Sequence, residues 1–204
     1  IRMVKAGFTS DGRINPAFFY PGLGFGGSCF PKDLKTLAFI GQQHGIPMQL
    51  VRAADNVNLE QREYFLGLIE QFYGSLSGLR LAVWGLSFKP RTDDIRESPA
   101  VFLCEQLVQL GSTVIAYDPV AMTNAKEKLG TSIEFAESAF AALDGADGLI
   151  VATEWNEFRS PDFKQMRRLL RRPVVFDGRN IFDPIRMRET GFDYICLGRG
   201  RSPI

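Results

Sequence analysis

Histidine is almost absent from this 204-residue chain: there is one, His44, and with it only three cysteines, Cys29, Cys104 and Cys196. The cysteines are odd in number, irregularly spaced and without a C-x-x-C. That argues against a disulfide framework and fits a reducing compartment. A zinc site would lack its usual ligands, and a Ser-His or Cys-His couple is excluded unless His44 reaches Cys29. His44 follows Gln42-Gln43 and precedes Gly45, which reads as a glycine-capped helix end, so the histidine belongs on a surface terminus. Charge of one sign is lacking too: 24 Lys and Arg stand against 23 Asp and Glu, a net of +1, which favours neither nucleic acid nor an anionic membrane as partner. No apolar run approaches the length of a membrane span, and Ile1-Arg2-Met3-Val4-Lys5 is not followed by the apolar core of a signal peptide. The chain opens on Ile rather than Met and reads as a piece of a longer one, cytoplasmic in setting. With 45% hydrophobic and 23% charged residues it has the composition of a soluble globular protein.

What is present is concentrated in one run, Gly24-Phe25-Gly26-Gly27-Ser28-Cys29-Phe30-Pro31-Lys32-Asp33. Glycines allow the backbone to approach a ligand with no Cβ in the way. A thiol attacks as its thiolate, and a nearby cation favours that form. Asp33 is placed to position a water or accept a proton. The run therefore reads as a covalent-catalysis loop. It also contains a decoy. Gly22-Leu23-Gly24-Phe25-Gly26-Gly27 matches G-x-G-x-x-G, but a dinucleotide fingerprint follows a buried strand and opens a helix. Here Pro16 and Pro21 oppose a central strand.

Residues 1 to 30, rich in Gly, Pro and Asn, read as irregular. An apolar stripe of Leu34, Leu37, Ala38 and Phe39 predicts a helix over 32–43, with Pro31 in its first turn and Cys29 just before its N-terminus, where the helix dipole favours negative charge. A longer helix follows from about Leu50 to Tyr73, carrying Val57, Tyr64, Phe65, Leu68, Ile69 and Phe72 at three- and four-residue spacing. Its stripe suits core packing or a dimer interface equally. After the Gly74-Ser75-Leu76-Ser77-Gly78 break the pattern changes. Strands are expected at 79–85, 113–117, 149–152, 174–176 and 194–197, alternating with helices at 99–110, within 134–143, at 163–170 and at 184–189. That alternation predicts an α/β fold with a parallel sheet covered on both faces, and two regions: 1–78, helical, and 79–204, Rossmann-like. Ligands of such sheets bind at the carboxyl ends of the strands. There the chain places Phe88, Lys89, Arg91, Asp93, Asp94 and Arg96, then Asp118, then Thr153-Glu154-Trp155, then Asp177-Gly178-Arg179. Lys and Arg side chains suit phosphates, although Asp93 and Asp94 also suit bracing Arg91 and Arg96. Arg167, Arg168, Arg171 and Arg172 read as a solvated helix end, and Cys104 and Cys196 as small core residues.

The cysteine run together with Gly85-Leu86-Ser87-Phe88-Lys89-Pro90-Arg91-Thr92-Asp93-Asp94-Ile95-Arg96-Glu97-Ser98, and with Thr153-Glu154-Trp155 and Asp177-Gly178-Arg179-Asn180, resembles the UDP-glucose/GDP-mannose dehydrogenase family. The resemblance covers nearly the whole chain in order. It implies a central region that dimerises through the long helix and a C-terminal UDP-sugar-binding domain. The family's N-terminal NAD-binding domain has no counterpart here, so the chain is expected to be inactive alone. By the same resemblance, a sugar C6 alcohol is oxidised to a carboxylate by two NAD molecules in succession, through a thiohemiacetal and then a thioester on Cys29, with Asp33 assisting water. Lys32 and Arg96 would face the cofactor. Phe18, Phe19, Tyr20 and Gly22 would lie over the sugar diphosphate, joined by Phe25 and Gly26 of the cysteine loop. Phe88, Lys89 and Arg179 would hold the nucleotide-sugar, and Arg13 would reach the substrate of a partner subunit. Phe30-Pro31-Lys32-Asp33 resembles the UDP-glucose branch, whose uronate products feed polysaccharide synthesis. Oxidation of GDP-mannose, a non-catalytic nucleotide-sugar-binding dimerisation module, and a thiol redox protein using Cys29 remain alternatives.

Overall fold

The computed structural model describes residues 2–16 and 19–199; Phe18, one of the residues assigned to the sugar loop, lies outside them. Elements run α1 (Arg2–Phe8), α2 (Cys29–Gln43), α3 (Gln49–Tyr73), β1 (Arg80–Trp84), α4 (Pro99–Gln109), β2 (Thr113–Tyr117), α5 (Met122–Leu129), β3 (Glu134–Phe135), α6 (Ala139–Leu143), β4 (Gly148–Val151), α7 (Phe163–Leu169), β5 (Val174–Asp177), α8 (Pro184–Glu189) and β6 (Asp193–Cys196). The six strands form one parallel sheet in the order β3-β2-β1-β4-β5-β6. This is the doubly wound arrangement, with its switch point between β1 and β4.

Period-two alternation divides the sheet's side chains between two cores. Leu81 and Val83 of β1 face one, with Val114, Ile150 and Phe176 from neighbouring strands, under Phe65 and Ile69 of α3 and Leu103, Cys104 and Leu107 of α4. Ala82 and Trp84 face the other, with Leu149, Val151 and Val175, under Leu143 of α6, Met166 of α7 and Met187 of α8. Local chemistry starts the covering helices. Ser98 accepts from the Ala100 amide, with Pro99 in the first turn of α4. Asp162 and Asp183 do the same for α7 and α8.

The long helix buries only part of its apolar stripe. Its C-terminal half packs on the sheet, while Leu50, Val57 and Tyr64 stand 87%, 60% and 58% exposed. α2 packs against α3 as a helical pair, and it too leaves Phe30, Leu37, Phe39 and Ile40 exposed.

Three elements depart from expectation. Residues 2–8, taken as irregular, form α1. Residues 122–129 form α5, which buries Ala125 and Leu129 and packs half-buried Met122 against the same core. The two-residue β3 forms the sheet edge. Cys29 also sits one step further in than predicted: it is the first residue of α2, with Ser28 at the N-cap position. His44 is the C-cap of α2, and Gly45 follows at φ +68°.

Candidate active site

The cysteine loop is built by backbone approach. Leu23, fully buried, anchors it beneath Gly178, where a Cβ would come within 2.5 Å of the leucine side chain. At Gly26 a side chain would collide with the Glu97 carbonyl. Gly27 takes φ +84°, and a Cβ there would meet the Phe88 ring at 2.8 Å. The Gly27 amide donates to the Arg96 carbonyl at 2.8 Å. The glycines of the run thus serve to seat it on the loop that follows β1. From α3, the Asn58 side chain accepts from the Phe25 amide at 2.7 Å and donates to the Phe25 carbonyl at 3.1 Å. Gln61 donates to the Gly22 carbonyl at 3.0 Å. Arg62 donates from one terminal nitrogen to the carbonyls of Phe25 and Glu97, both at 3.1 Å.

Cys29 emerges from this loop exposed, its sulfur 3.7 Å from the Ser28 hydroxyl. Asp33 lies four residues on, on the same face of α2, and pairs with Lys32 at 3.2 Å. Both charged groups are solvent-exposed and free to turn toward a ligand. Arg96 forms a two-point pair with Asp94, at 2.9 and 2.7 Å. That hydrogen bonding raises the guanidinium's pKa and holds the Asp94 carboxyl below its ordinary value. Asp94 thus braces Arg96, one of the two uses foreseen for it.

Beside the loop, at the carboxyl ends of β1, β4 and β5, lies a cleft of about 380 Å³ lined by Tyr20, Gly22, Gly24, Phe25, Gly26, Phe88, Lys89, Glu154 and Arg179. It adjoins a wider one of about 990 Å³ that adds Arg91, Trp155, Arg159 and Asn180. Arg179 is the fixed cation. Its Nε donates to the Ala152 carbonyl at 2.7 Å, a terminal nitrogen donates to the Phe88 carbonyl at 3.2 Å, and Glu154 lies 3.2 Å from Nε. Burial pulls its pKa down, against the opposing pull of Glu154 and Asp177. Lys89 is the exposed cation, its ammonium 5.2 Å from the centre of the Phe88 ring. Phe88 spends its ring on Gly27 and its carbonyl on Arg179, so its place is between loop and cleft rather than free to stack on a ligand. Tyr20 is held beneath Lys5 of α1, 3.1 Å from the ring centre, and Phe19 packs on Phe8 at 4.8 Å. Arg13, paired with Asp11, projects 89% exposed and lines neither cleft.

The sheet itself is not built for a dinucleotide. In this fold the first loop carries a glycine turn, and an acidic residue after the second strand takes a ribose hydroxyl. Asp118 has that second position, yet both its oxygens are occupied. One accepts from the Leu86 and Ser87 amides, the Ser87 hydroxyl and the Trp155 indole; the other accepts from the Val120 and Ala121 amides. The residues present do not fit an NAD site on this sheet. Among the described residues no group of three or more His, Cys, Asp or Glu side chains is gathered to hold a metal ion, and no helix is long and apolar enough to cross a membrane.

Sequence reasoning missed Asn58, Gln61 and Arg62. The available signal was polar residues at i, i+3 and i+4, of which Asn58 and Arg62 are each only 6% exposed, on the helix flank next to the apolar stripe.

Two family profiles match the chain in sequence order. The central domain of the UDP-glucose/GDP-mannose dehydrogenase family matches residues 1–60, and that family's UDP binding domain matches residues 82–184. Curated UDP-glucose 6-dehydrogenases are similar to it. The one from Pseudomonas aeruginosa is 43% identical over 208 residues, covering 99% of this chain and 46% of the relative. The one from Haloferax volcanii is 44% identical over 189 residues, covering 92% and 42%. A UDP-glucose dehydrogenase structure from Pyrobaculum islandicum superposes with a TM-score of 0.84 at 37% identity, covering 95% of this chain and 42% of that one. The chain spans less than half the length of the curated relatives it matches.

Proposed function

Since the chain belongs to the UDP-glucose/GDP-mannose dehydrogenase family, we propose that it is the thiol-bearing, UDP-sugar-binding part of an enzyme that oxidises C6 of UDP-glucose to the carboxylate. The observation that carries this reading is the seating of the Cys29 loop against the cationic cleft: Gly22, Gly24, Phe25 and Gly26 are at once the approach to the thiol and one wall of the cleft that holds Lys89 and Arg179.

Lys89 and Arg179 neutralise the diphosphate, Arg179 from a position its backbone partners fix in advance. Phe88 and Gly22 shape the wall, and residues 19–22 close over the sugar end. NAD would supply the oxidation, as acceptor of a hydride from C6 at each of the two steps, while the proton on the C6 oxygen passes to solvent. Its site is no part of this sheet, and Lys32 and Arg96 are the residues that face it. Between the two oxidations the Cys29 sulfur adds to the C6 aldehyde carbon and the carbonyl oxygen takes a proton, giving a thiohemiacetal that keeps a reactive aldehyde from escaping. After the second hydride leaves, the C6–sulfur link is a thioester. Water oriented by Asp33 attacks the thioester carbon, giving up one proton to the Asp33 carboxylate and the other to solvent, the carbon–sulfur bond breaks, and a carboxylate and the free Cys29 thiolate result.

The exposed apolar faces of α2 and α3 suit a second copy of this chain, and Arg13 is the residue such a copy would lend to its partner's sugar. A cytoplasmic setting follows from the nucleotide-sugar substrate and the free thiol. Parallel calorimetric titrations of this chain with UDP-glucose and GDP-mannose test the cleft: saturation by UDP-glucose alone is expected, and saturation by GDP-mannose alone would reverse the substrate. In an assembled enzyme, Cys29→Ser should stall the reaction after partial oxidation. Undiminished uronate production by that variant would end the covalent reading.

A further inference from the structure

The α3 side chains that hold the Cys29 loop are not among those that line the cleft. Asn58 grips Phe25 by both its amide and its carbonyl, as a neighbouring strand would. Arg62 ties that same Phe25 carbonyl to the Glu97 carbonyl, across from the cysteine loop to the loop after β1. Burying two polar side chains costs stability unless each is paired. Here the pairing is incomplete, because the Arg62 Nε is buried without a partner. An apolar residue, as at Phe65, Leu66 and Ile69 one and two turns further on, would fill the same space at less cost. The junction they serve is tight on its other side as well: Glu97 adopts φ +52°, and Gly26 rests on its carbonyl.

We infer that Asn58 and Arg62 are positioning residues, which lock Phe25 to Gly27 against Arg96 and Glu97 so that a nucleotide-sugar held by the sheet's loops meets the Cys29 sulfur at a fixed offset. The inference rests on the reading of Cys29 as the group that bonds to the sugar carbon. Neither residue lines the cleft that holds Lys89 and Arg179; each acts through backbone.

Cys29 is exposed while Cys104 and Cys196 are buried, so alkylation of the native chain by iodoacetamide reports on Cys29. The experiment measures that rate with and without saturating UDP-glucose, beside the calorimetric Kd. The variants are Asn58→Asp, which sets an oxygen against the Phe25 carbonyl, and Arg62→Met, which keeps the packing and removes both hydrogen bonds. Wild type should be protected at least about 10-fold, whereas both variants should bind within about 3-fold of wild type and be protected less than about 2-fold. Arg62→Lys retains a donor and should regain part of the protection. If one variant fails to fold, the other decides. Protection equal to wild type in a folded variant overturns the inference, as does parallel loss of affinity and protection, which would mark a merely structural role. If wild type itself binds UDP-glucose without protecting Cys29, or does not bind it, the thiol reading fails and takes the inference with it.

Discussion

Asp118→Asn replaces one carboxylate oxygen by an amide nitrogen and leaves the shape unchanged, at a residue 1% exposed. The carboxylate accepts six hydrogen bonds, between 2.7 and 3.1 Å. Whichever way the asparagine turns, donors then face a donor. The milder orientation gives up the two bonds from Val120 and Ala121, and the worse one gives up the four that tie Leu86, Ser87 and Trp155. A hydrogen bond to a charged acceptor is worth roughly 1.5–3 kcal/mol, so two lost bonds with partial relaxation cost about 3 kcal/mol. For a chain of this size each kcal/mol moves the midpoint by about 2–4 °C, which gives a fall of about 6–12 °C in scanning calorimetry. The same accounting predicts that NAD added to this chain leaves its Tm unchanged. A ligand at 100 times its Kd would add about 2.7 kcal/mol, and the ribose partner that a dinucleotide needs is already occupied. A Tm of Asp118→Asn within about 2 °C of wild type, or a rise of several degrees with NAD, would refute the assignment of this carboxylate to the framework.

Gly27→Ala forces a Cβ into the left-handed region, a cost of about 1–2 kcal/mol, and pushes on the Phe88 ring. Turnover by the assembled enzyme should fall by at least about 10-fold, since small misplacements of a reacting group are expensive; steady-state kinetics with unchanged turnover would contradict the close-approach argument. Glu134→Gln breaks the two-point pair with Arg80, at 2.8 and 2.7 Å, but the carboxylate is 52% exposed, so urea midpoints should report only about 0.5 kcal/mol. Arg80 holds the Glu134 pKa below its ordinary value, so this contribution is present above the usual glutamate range and is lost as pH falls through the depressed folded value. A stability difference that grows on acidification would be the wrong sign. Mixing equal amounts of Arg13→Ala and Cys29→Ala subunits of the assembled enzyme should restore about a quarter of wild-type activity if Arg13 serves the partner's site, because only the mixed dimer then holds one intact site. No restoration would place Arg13 in its own subunit's site.

The alternation of apolar runs and helices after residue 79 made the parallel sheet legible, because buried strands leave unbroken runs such as Leu149-Ile150-Val151. α5 was not legible for the opposite reason. Its sequence, Met122-Thr123-Asn124-Ala125-Lys126-Glu127-Lys128-Leu129, fully buries only Ala125 and Leu129 and otherwise reads as a polar connection. α1 is seven residues with a glycine near its end, below the length at which periodicity separates helix from loop. At the site, the chemistry-bearing types at Cys29, Asp33, Lys89 and Arg179 were visible because their chemistry is unusual in place. Asn58 and Arg62 were not, because their role is read from the backbone they touch, 33 and 37 residues away at Phe25. Asp118 looked like a candidate for ligand contact from its place after β2, and only its six donors show it to be part of the frame.

The strand order is that of a dinucleotide-binding sheet, and on fold alone it would be assigned a dinucleotide. The first turn decides otherwise. Gly85, at φ +92°, is pressed against Thr153, whose hydroxyl donates to the Ser87 carbonyl at 2.6 Å. The turn after β1 therefore closes onto the loop after β4 across the switch point, instead of opening its amides to a pyrophosphate. The cations beside the cleft are side chains, Lys89 and Arg179, which the proposed function assigns to a phosphate, and the Cys29 thiol comes from a segment that enters from outside the sheet. On the proposed function, the chemistry of this chain would reside in a junction between the 22–29 segment and the 85–98 loop. That junction is held by backbone contacts at Gly26 and Gly27 and by two buried side chains of α3, so substitutions there should change reactivity far more than conservative changes in the sheet beneath it.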